Sequence, residues 1–235
     1  LGIVNPYFPQ ETCLKLAAIA NANVFVETGT YFGGTTKWAA QHFKKIHTIE
    51  LSQDLYNKTK DELISKGNIT PYLGDSRNIL PEILKKENTN IVFWLDGHFS
   101  GIGGGLLTAG KENPCPLLDE LDAILSRDND DIIIIDDARM YTGKENGYPC
   151  VVEIYRKIEE KSKDKKSLQI CDDQIYIVPQ KNEYLEILLD YVLLRDILLW
   201  NLYKKHLPKN KKSIKSKIRD LPAKILKKYK TSTSY

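Results

Sequence analysis

Three places in the sequence put carboxylates or glycines directly after a β-rich run, where side chains could meet a ligand. The first is Val24-Phe25-Val26-Glu27-Thr28-Gly29-Thr30-Tyr31-Phe32-Gly33-Gly34, in which a strand pattern passes into glycines and then a helical pattern. Glycine lets the backbone approach a ligand closely and take up positive φ. A loop following a parallel strand lies at the carboxyl edge of the sheet, where open α/β folds bind ligands. The spacing E-x-G-x-x-x-G-G differs from the G-x-G-x-x-G of dinucleotide folds, and no Lys-Ser/Thr follows, which excludes a Walker loop. By itself the turn is a weak signal, and a tight structural turn is the alternative. Glu50 ends the next run, His47-Thr48-Ile49-Glu50, about 20 residues on, where an acid can accept both hydroxyls of a ribose. Asp75 follows the third run in Leu73-Gly74-Asp75-Ser76, where a carboxylate can accept from an adenine amino group. Either acid alone reads as a helix cap; three signals at three consecutive strand ends read as adenosine binding.

Further along come Asp96, Asp136 and Asp137, ending the fourth and fifth runs. Neighbouring parallel strands lie about 4.8 Å apart, so these carboxylates can converge at one edge. Three acids with room for water suit a hard divalent cation such as Mg²⁺, and a metal favours the alkoxide form of a bound hydroxyl. The plainer reading is that Asp136 and Asp137 cap the next segment and Asp96 acts alone. His98, two residues past Asp96, is the candidate general base, with a pKa suited to taking a hydroxyl proton; an exposed loop histidine is the alternative. Phe99-Ser100-Gly101-Ile102-Gly103-Gly104-Gly105 reads as a lid or as a surface loop. Arg139, Tyr141 and Tyr148 are candidates for lining an acceptor site, and Trp94 reads as core. His42, His47 and His206 read as structural or solvated.

These residues need a scaffold, and the pattern supplies one. Strands are expected over 23–27, 45–50, 69–73, 91–96 and 131–136, alternating with helices over 34–43, 52–66, 76–86 and 116–126. That alternation is the grammar of a parallel sheet covered by helices. Ser52 and Ser76 stand where helix N-caps belong. The run Ile132-Ile133-Ile134-Ile135 has no polar alternation and reads as a central strand buried on both faces. A helix over 151–161 follows, then a hairpin of 167–171 and 174–178 around Asp172-Asp173.

The pieces Glu27-Thr28-Gly29…Gly33-Gly34, Gly74-Asp75-Ser76-Arg77…Leu80-Pro81, Leu95-Asp96-Gly97-His98 and Ile135-Asp136-Asp137 resemble the class I SAM-dependent methyltransferases. The subgroup they are most similar to is the macrocin-type sugar O-methyltransferases, over roughly residues 23–140. That resemblance implies a Rossmann-like α/β fold, a mostly parallel sheet with an antiparallel terminal hairpin and helices on both faces. It also implies S-adenosylmethionine as donor, with Glu27 and Gly29 near its amino-acid end, Glu50 on the ribose and Asp75 near the adenine. The donor site so outlined takes in Glu27, Thr28, Gly29, Thr30, Tyr31, Gly33 and Thr35, then Glu50 and Leu51, then Gly74, Asp75, Ser76 and Asp96. The three aspartates would hold the metal, and His98 stands where the subgroup usually carries an aspartate. A sugar hydroxyl of a glycan or glycosylated metabolite is the implied acceptor. A small phenolic or catechol-like acceptor, or a non-catalytic module that keeps the fold, are the competing readings. An NAD-linked oxidoreductase suffers from the wrong glycine spacing and the terminal hairpin.

Hydrophobic residues at 42% and charged residues at 28% suit a soluble chain with one large α/β domain and appendages. The domain is expected over 1–180, with a helical extension over 181–235. The segment 204–230 carries twelve lysines and arginines against one acid, Asp220, so it holds +11 while the rest of the chain holds −8. An acidic body argues against nucleic acid as partner and confines any polyanion affinity to the tail. The pattern over 183–205 is apolar on most sides of a helix, which calls for more than one neighbour, such as a second copy or an upstream domain. The basic tail would suit an anionic membrane surface. Four widely spaced cysteines (Cys13, Cys115, Cys150, Cys171) form no CxxC pair, so reduced thiols in a cytoplasmic protein are expected. The sequence opens on Leu1 with Met140 as its only methionine, as expected of a piece of a longer chain.

Overall fold

The computed structural model describes residues 8–97, 102–103, 106–107, 115–144 and 147–193. It divides into the units Leu1–Tyr191 and Val192–Tyr235. All but two residues of the second unit, including the basic tail, His206 and most of the expected 183–205 helix, lie outside the described residues.

In the first unit the elements run α1 (Gln10–Ile19), β1 (Val24–Thr28), α2 (Gly34–Ala39), β2 (Lys45–Glu50), α3 (Gln53–Ile64), β3 (Ile69–Leu73), α4 (Ser76–Leu84) and β4 (Ile91–Leu95). A two-residue ladder follows, β5 (Ile102–Gly103) against β6 (Leu106–Leu107). Then come α5 (Leu117–Leu125), β7 (Ile132–Ile135), a 3₁₀ turn (Ala138–Met140), α6 (Val151–Ser162), β8 (Lys166–Cys171) and β9 (Gln174–Pro179). A further helix occupies 182–193. The main sheet has the order β3-β2-β1-β4-β7-β9-β8. Its first five strands are parallel, and β9 turns antiparallel to β7 and pairs with β8 in the terminal hairpin. This is the Rossmann-like class I methyltransferase sheet that the motif order implied.

The chemistry of each strand follows its place. Ile132 to Ile135 are all fully buried, because β7 lies inside the sheet and helices cover both faces. Val26, Leu80, Phe93, Leu121, Ile133, Ile154 and Ile177 belong to one core cluster, on the face that α4, α5 and α6 cover. Each such side chain contributes about 1.5–3 kcal/mol by leaving water. On the opposite face Phe25 packs against Phe8, Trp38 and Phe43. Trp94, 3% exposed, meets Phe8 edge-on at 4.7 Å and is core, as expected.

Two local expectations are corrected. The helix over Gln10–Ile19 has no counterpart among the predicted elements; its sequence, QETCLKLAAI, has little contrast between faces, and no side chain caps it. Ser52 caps α3, accepting from the Leu55 amide at 3.4 Å, but the cap of α4 is Asp75 and not Ser76. Asp75 accepts the Arg77 amide two residues on, which makes Ser76 the first helical residue. At the outer margin, β3 carries Pro71. The Asn68 carbonyl accepts from Ile46 and the Gly74 amide donates to Glu50, so alternate residues face β2 and the nitrogen of Pro71 faces outward.

Candidate active site

The glycine turn draws the ends of β1, β2 and β4 together. Gly29 has φ +87, and its amide donates to the Ile49 carbonyl at 2.9 Å. A Cβ at Gly29 would run into the Asp96 carbonyl oxygen, so only glycine lets these two strand ends approach. The Asp96 amide in turn donates to the Thr28 carbonyl at 3.0 Å. The Gly33 amide closes the turn on the Thr30 carbonyl at 2.8 Å, and Gly33 caps α2 in the left-handed conformation. Tyr31, also left-handed with φ 50, aims its amide at Glu50.

Glu27 is 1% exposed and anchors the turn from below. Its Oε2 accepts from the hydroxyls of Thr36 and Thr48, the latter at 2.7 Å. Thr48 itself accepts from Thr30 at 2.6 Å. Burial pushes the Glu27 carboxyl up to about 7; the two threonine hydrogen bonds oppose that shift and the nearby Glu50 adds to it. Thr36 and Thr48 were not among the expected site residues, although Thr48 stands two residues before Glu50 on the same strand.

Glu50 is 7% exposed at the end of β2. Its Oε2 accepts the Tyr31 amide at 2.8 Å and its Oε1 the Ser52 amide at 2.8 Å. Burial raises its pKa, and the backbone amides of Ser52, Tyr31, Leu51 and Thr30 oppose that rise. The backbone thus fixes both oxygens in place while each keeps a lone pair for a ligand hydroxyl. Leu51 and Tyr31 are exposed beside it, Thr35 and Gly74 are half-buried, and Thr30, Gly33 and Ser76 are buried. The Thr28 hydroxyl is fully buried with no hydrogen-bond partner among the described residues. An amide-held carboxylate, a glycine where the β1 and β4 ends meet and a hydroxyl without a partner among the described residues together fit a polar ligand such as an adenosyl group.

At the end of β3, Asp75 is paired with Arg77. The Arg77 amide and Nε both reach Oδ1, at 2.9 and 3.0 Å, while Nε and Nη2 reach Oδ2 at 3.0 and 2.5 Å. The Arg77 side chain holds the Asp75 carboxyl below the usual carboxylate range.

The far part of the edge departs from expectation. Asp96 and Asp136 sit on adjacent strand ends, the Asp136 amide donating to the Leu95 carbonyl at 3.1 Å. Asp137, however, turns into the left-handed conformation, φ 56, and its carboxylate pairs with Arg139 at 2.7 Å. Arg139 is also bound by Asp173 of the β8–β9 turn, whose carboxylate accepts the Arg139 amide at 2.8 Å. Gln174 donates to Asp136 at 3.4 Å. Among the described residues no three acidic, histidine or cysteine side chains form a set that could hold a metal. The expected set of Asp96, Asp136 and Asp137 is not brought together among the described residues, where Asp137 pairs with Arg139 instead. Tyr141, 2% exposed, belongs to the core and its ring lies 6.0 Å from that of Tyr148. His47 is buried between Tyr72 and Glu87, at 3.1 Å from each. His98 and most of the glycine-rich segment after it lie outside the described residues.

No family model matches the sequence, and no curated protein matches it. Solved structures resemble the fold. An O-methyltransferase from Bacillus cereus is 18% identical, with 75% of this chain and 84% of that one covered and a TM-score of 0.46. An rRNA methylase from Streptococcus thermophilus is 16% identical, with 75% and 99% covered and a TM-score of 0.46. A methyltransferase from Podospora anserina is 14% identical, with 74% and 83% covered and a TM-score of 0.45. Likenesses of this degree assign neither a reaction nor an acceptor to this chain.

Proposed function

We propose that the chain is an S-adenosylmethionine-dependent O-methyltransferase that methylates a sugar hydroxyl of a glycan or glycosylated metabolite. The observation that carries the donor half is Glu50. A buried carboxylate, oriented by the amides of Tyr31 and Ser52, is suited to accept the two hydroxyls of a ribose laid over the glycine turn. A structural cap would need no link to the turn through the Tyr31 amide.

The donor would supply an electrophilic methyl group on a sulfonium. Glu50 and the turn hold the nucleoside end, and Thr28 at the end of β1 offers its unused hydroxyl beside the β4 edge. The acceptor oxygen attacks in line from the Asp96 side: the new O–C bond forms as the S–C bond breaks, and the hydroxyl proton passes to His98. Asp96 stands two residues from that base and orients the acceptor. These steps need no metal, and Asp137 pairs instead with Arg139. The sugar acceptor rests on the motif resemblance.

Calorimetry tests the donor half. S-adenosylhomocysteine should bind and NAD should not; the reverse result overturns the reading. Methyl transfer from labelled donor to a panel of monosaccharides, glycans and phenols tests the acceptor, and transfer to phenols alone would discard the sugar. With a working acceptor, His98→Ala should lower kcat roughly 10²- to 10⁴-fold; unchanged turnover removes the base assignment.

A further inference from the structure

Asp75 stands where a carboxylate would accept from the amino group of an adenine, yet most of its own acceptor capacity is turned to Arg77. A carboxylate offers about four lone-pair sites. Three Arg77 N–H groups meet them: the amide on Oδ1, Nη2 on Oδ2, and Nε shared between the two oxygens. The pair is also rigid, since the Arg77 backbone is fixed in the first turn of α4 by the same aspartate. Arg77 retains both N–H groups of Nη1 and one of Nη2 without an acceptor among the described residues, and its side chain is 28% exposed at the edge. Asp119 and Glu120 in the first turn of α5 add to the negative field that holds it in place.

We infer that Arg77, and not Asp75, reads the purine of the donor: Nη1 donates to an acceptor on the base while the rest of the guanidinium keeps Asp75 occupied. This rests on the adenosyl-donor reading above and deepens it. A guanidinium suits such acceptors, since purine N7 is an acceptor in 6-amino- and 6-oxopurines alike. The consequence concerns specificity. A carboxylate reading the 6-amino group would reject a 6-oxopurine strongly, because two acceptors would then face each other. A guanidinium reading ring acceptors does not, so the site accepts both 6-amino- and 6-oxopurine nucleosides.

The test compares S-adenosylhomocysteine with its 6-oxo analogue, S-inosylhomocysteine, by calorimetry on the full chain. The wild-type protein should bind the two within about threefold of each other, as a hydrogen bond common to both requires. Arg77→Met should weaken the 6-oxo ligand by roughly 10- to 100-fold. The adenine ligand should lose clearly less, because the freed Asp75 then attracts the amino group and repels the oxo group. A merely structural role for Arg77 would weaken both equally, and that result overturns the inference. So does a wild-type preference for adenine of about tenfold or more. That wild-type ratio needs no variant, so it decides the matter even if Arg77→Met does not fold. If the wild-type protein binds neither ligand, the donor reading itself falls.

Discussion

At the amino edge of the sheet, Asp131 accepts the Ile91 amide at 2.8 Å and the Arg127 guanidinium at 2.9 Å. Glu87 there is bridged by Lys45 and His47, and Lys166 donates to the carbonyls of Asn129 and Asp131 at 2.9 and 2.8 Å. At the carboxyl edge Glu50 is buried just as deeply but is held by amides alone. The residue types are the same and the partners differ. Where a buried carboxylate meets a cation, its charge is consumed in closing the fold; where it meets only backbone amides, its geometry is fixed and its charge remains available. Asp75 and Asp137, both bound by arginines, show that the carboxyl edge itself is mixed. That divides the carboxylates expected to act on ligands into two kinds.

The contrast breaks most visibly at Asp131. Asp131→Ala leaves Arg127 uncompensated and should cost about 3–5 kcal/mol of stability, read as a fall in the urea midpoint. Glu50→Ala should do the opposite: a small change in stability, with S-adenosylhomocysteine affinity reduced roughly 10- to 100-fold in calorimetry. Loss of stability without loss of affinity would place Glu50 with the structural acids. Gly29→Ala combines the two effects. Its positive φ and the collision with Asp96 should cost about 1–3 kcal/mol and weaken the donor together with the fold, as thermal melts with and without ligand would reveal.

The sheet was legible in the sequence because its determinants are local. An unbroken Ile132–Ile135 can only be an interior strand, and a turn such as Asp172-Asp173, with both residues at positive φ, suits a two-residue hairpin. Glu50 was legible because a strand end and a ribose acid coincide. The pairing of Asp137 was not legible, because sequence places Asp136 and Asp137 side by side, whereas one left-handed residue hands the second carboxylate to Arg139. That choice depends on Asp173, over thirty residues away and brought near only by the hairpin. The pairing of Asp75 was equally hidden: Arg77 is present in the motif, but which of its atoms meet the carboxylate is a matter of rotamer.

Two smaller effects sharpen the comparison. Glu27 titrates at 4.5 ordinarily and at about 7 in the fold, so in that window the folded state holds its proton more tightly than the unfolded chain. Its contribution to stability should therefore fall as pH rises from 4.5 to about 7, by up to about 1.4 kcal/mol per pH unit. Glu27→Gln should flatten that slope, as denaturation at several pH values would check; an unchanged slope would assign the titration elsewhere. Finally, exhaustive chelation should leave methyl transfer unaltered. A loss restored by Mg²⁺ would return the aspartates to metal binding.

Pro71 gives the sheet's β3 margin a further property. An edge strand with free outward amides is a template onto which another extended chain can add. The middle residue of β3 has no amide hydrogen to offer, and its ring stands where an incoming strand would have to lie. Strand addition at that margin would therefore lack a ladder hydrogen bond at its centre, one that the native sheet never needs.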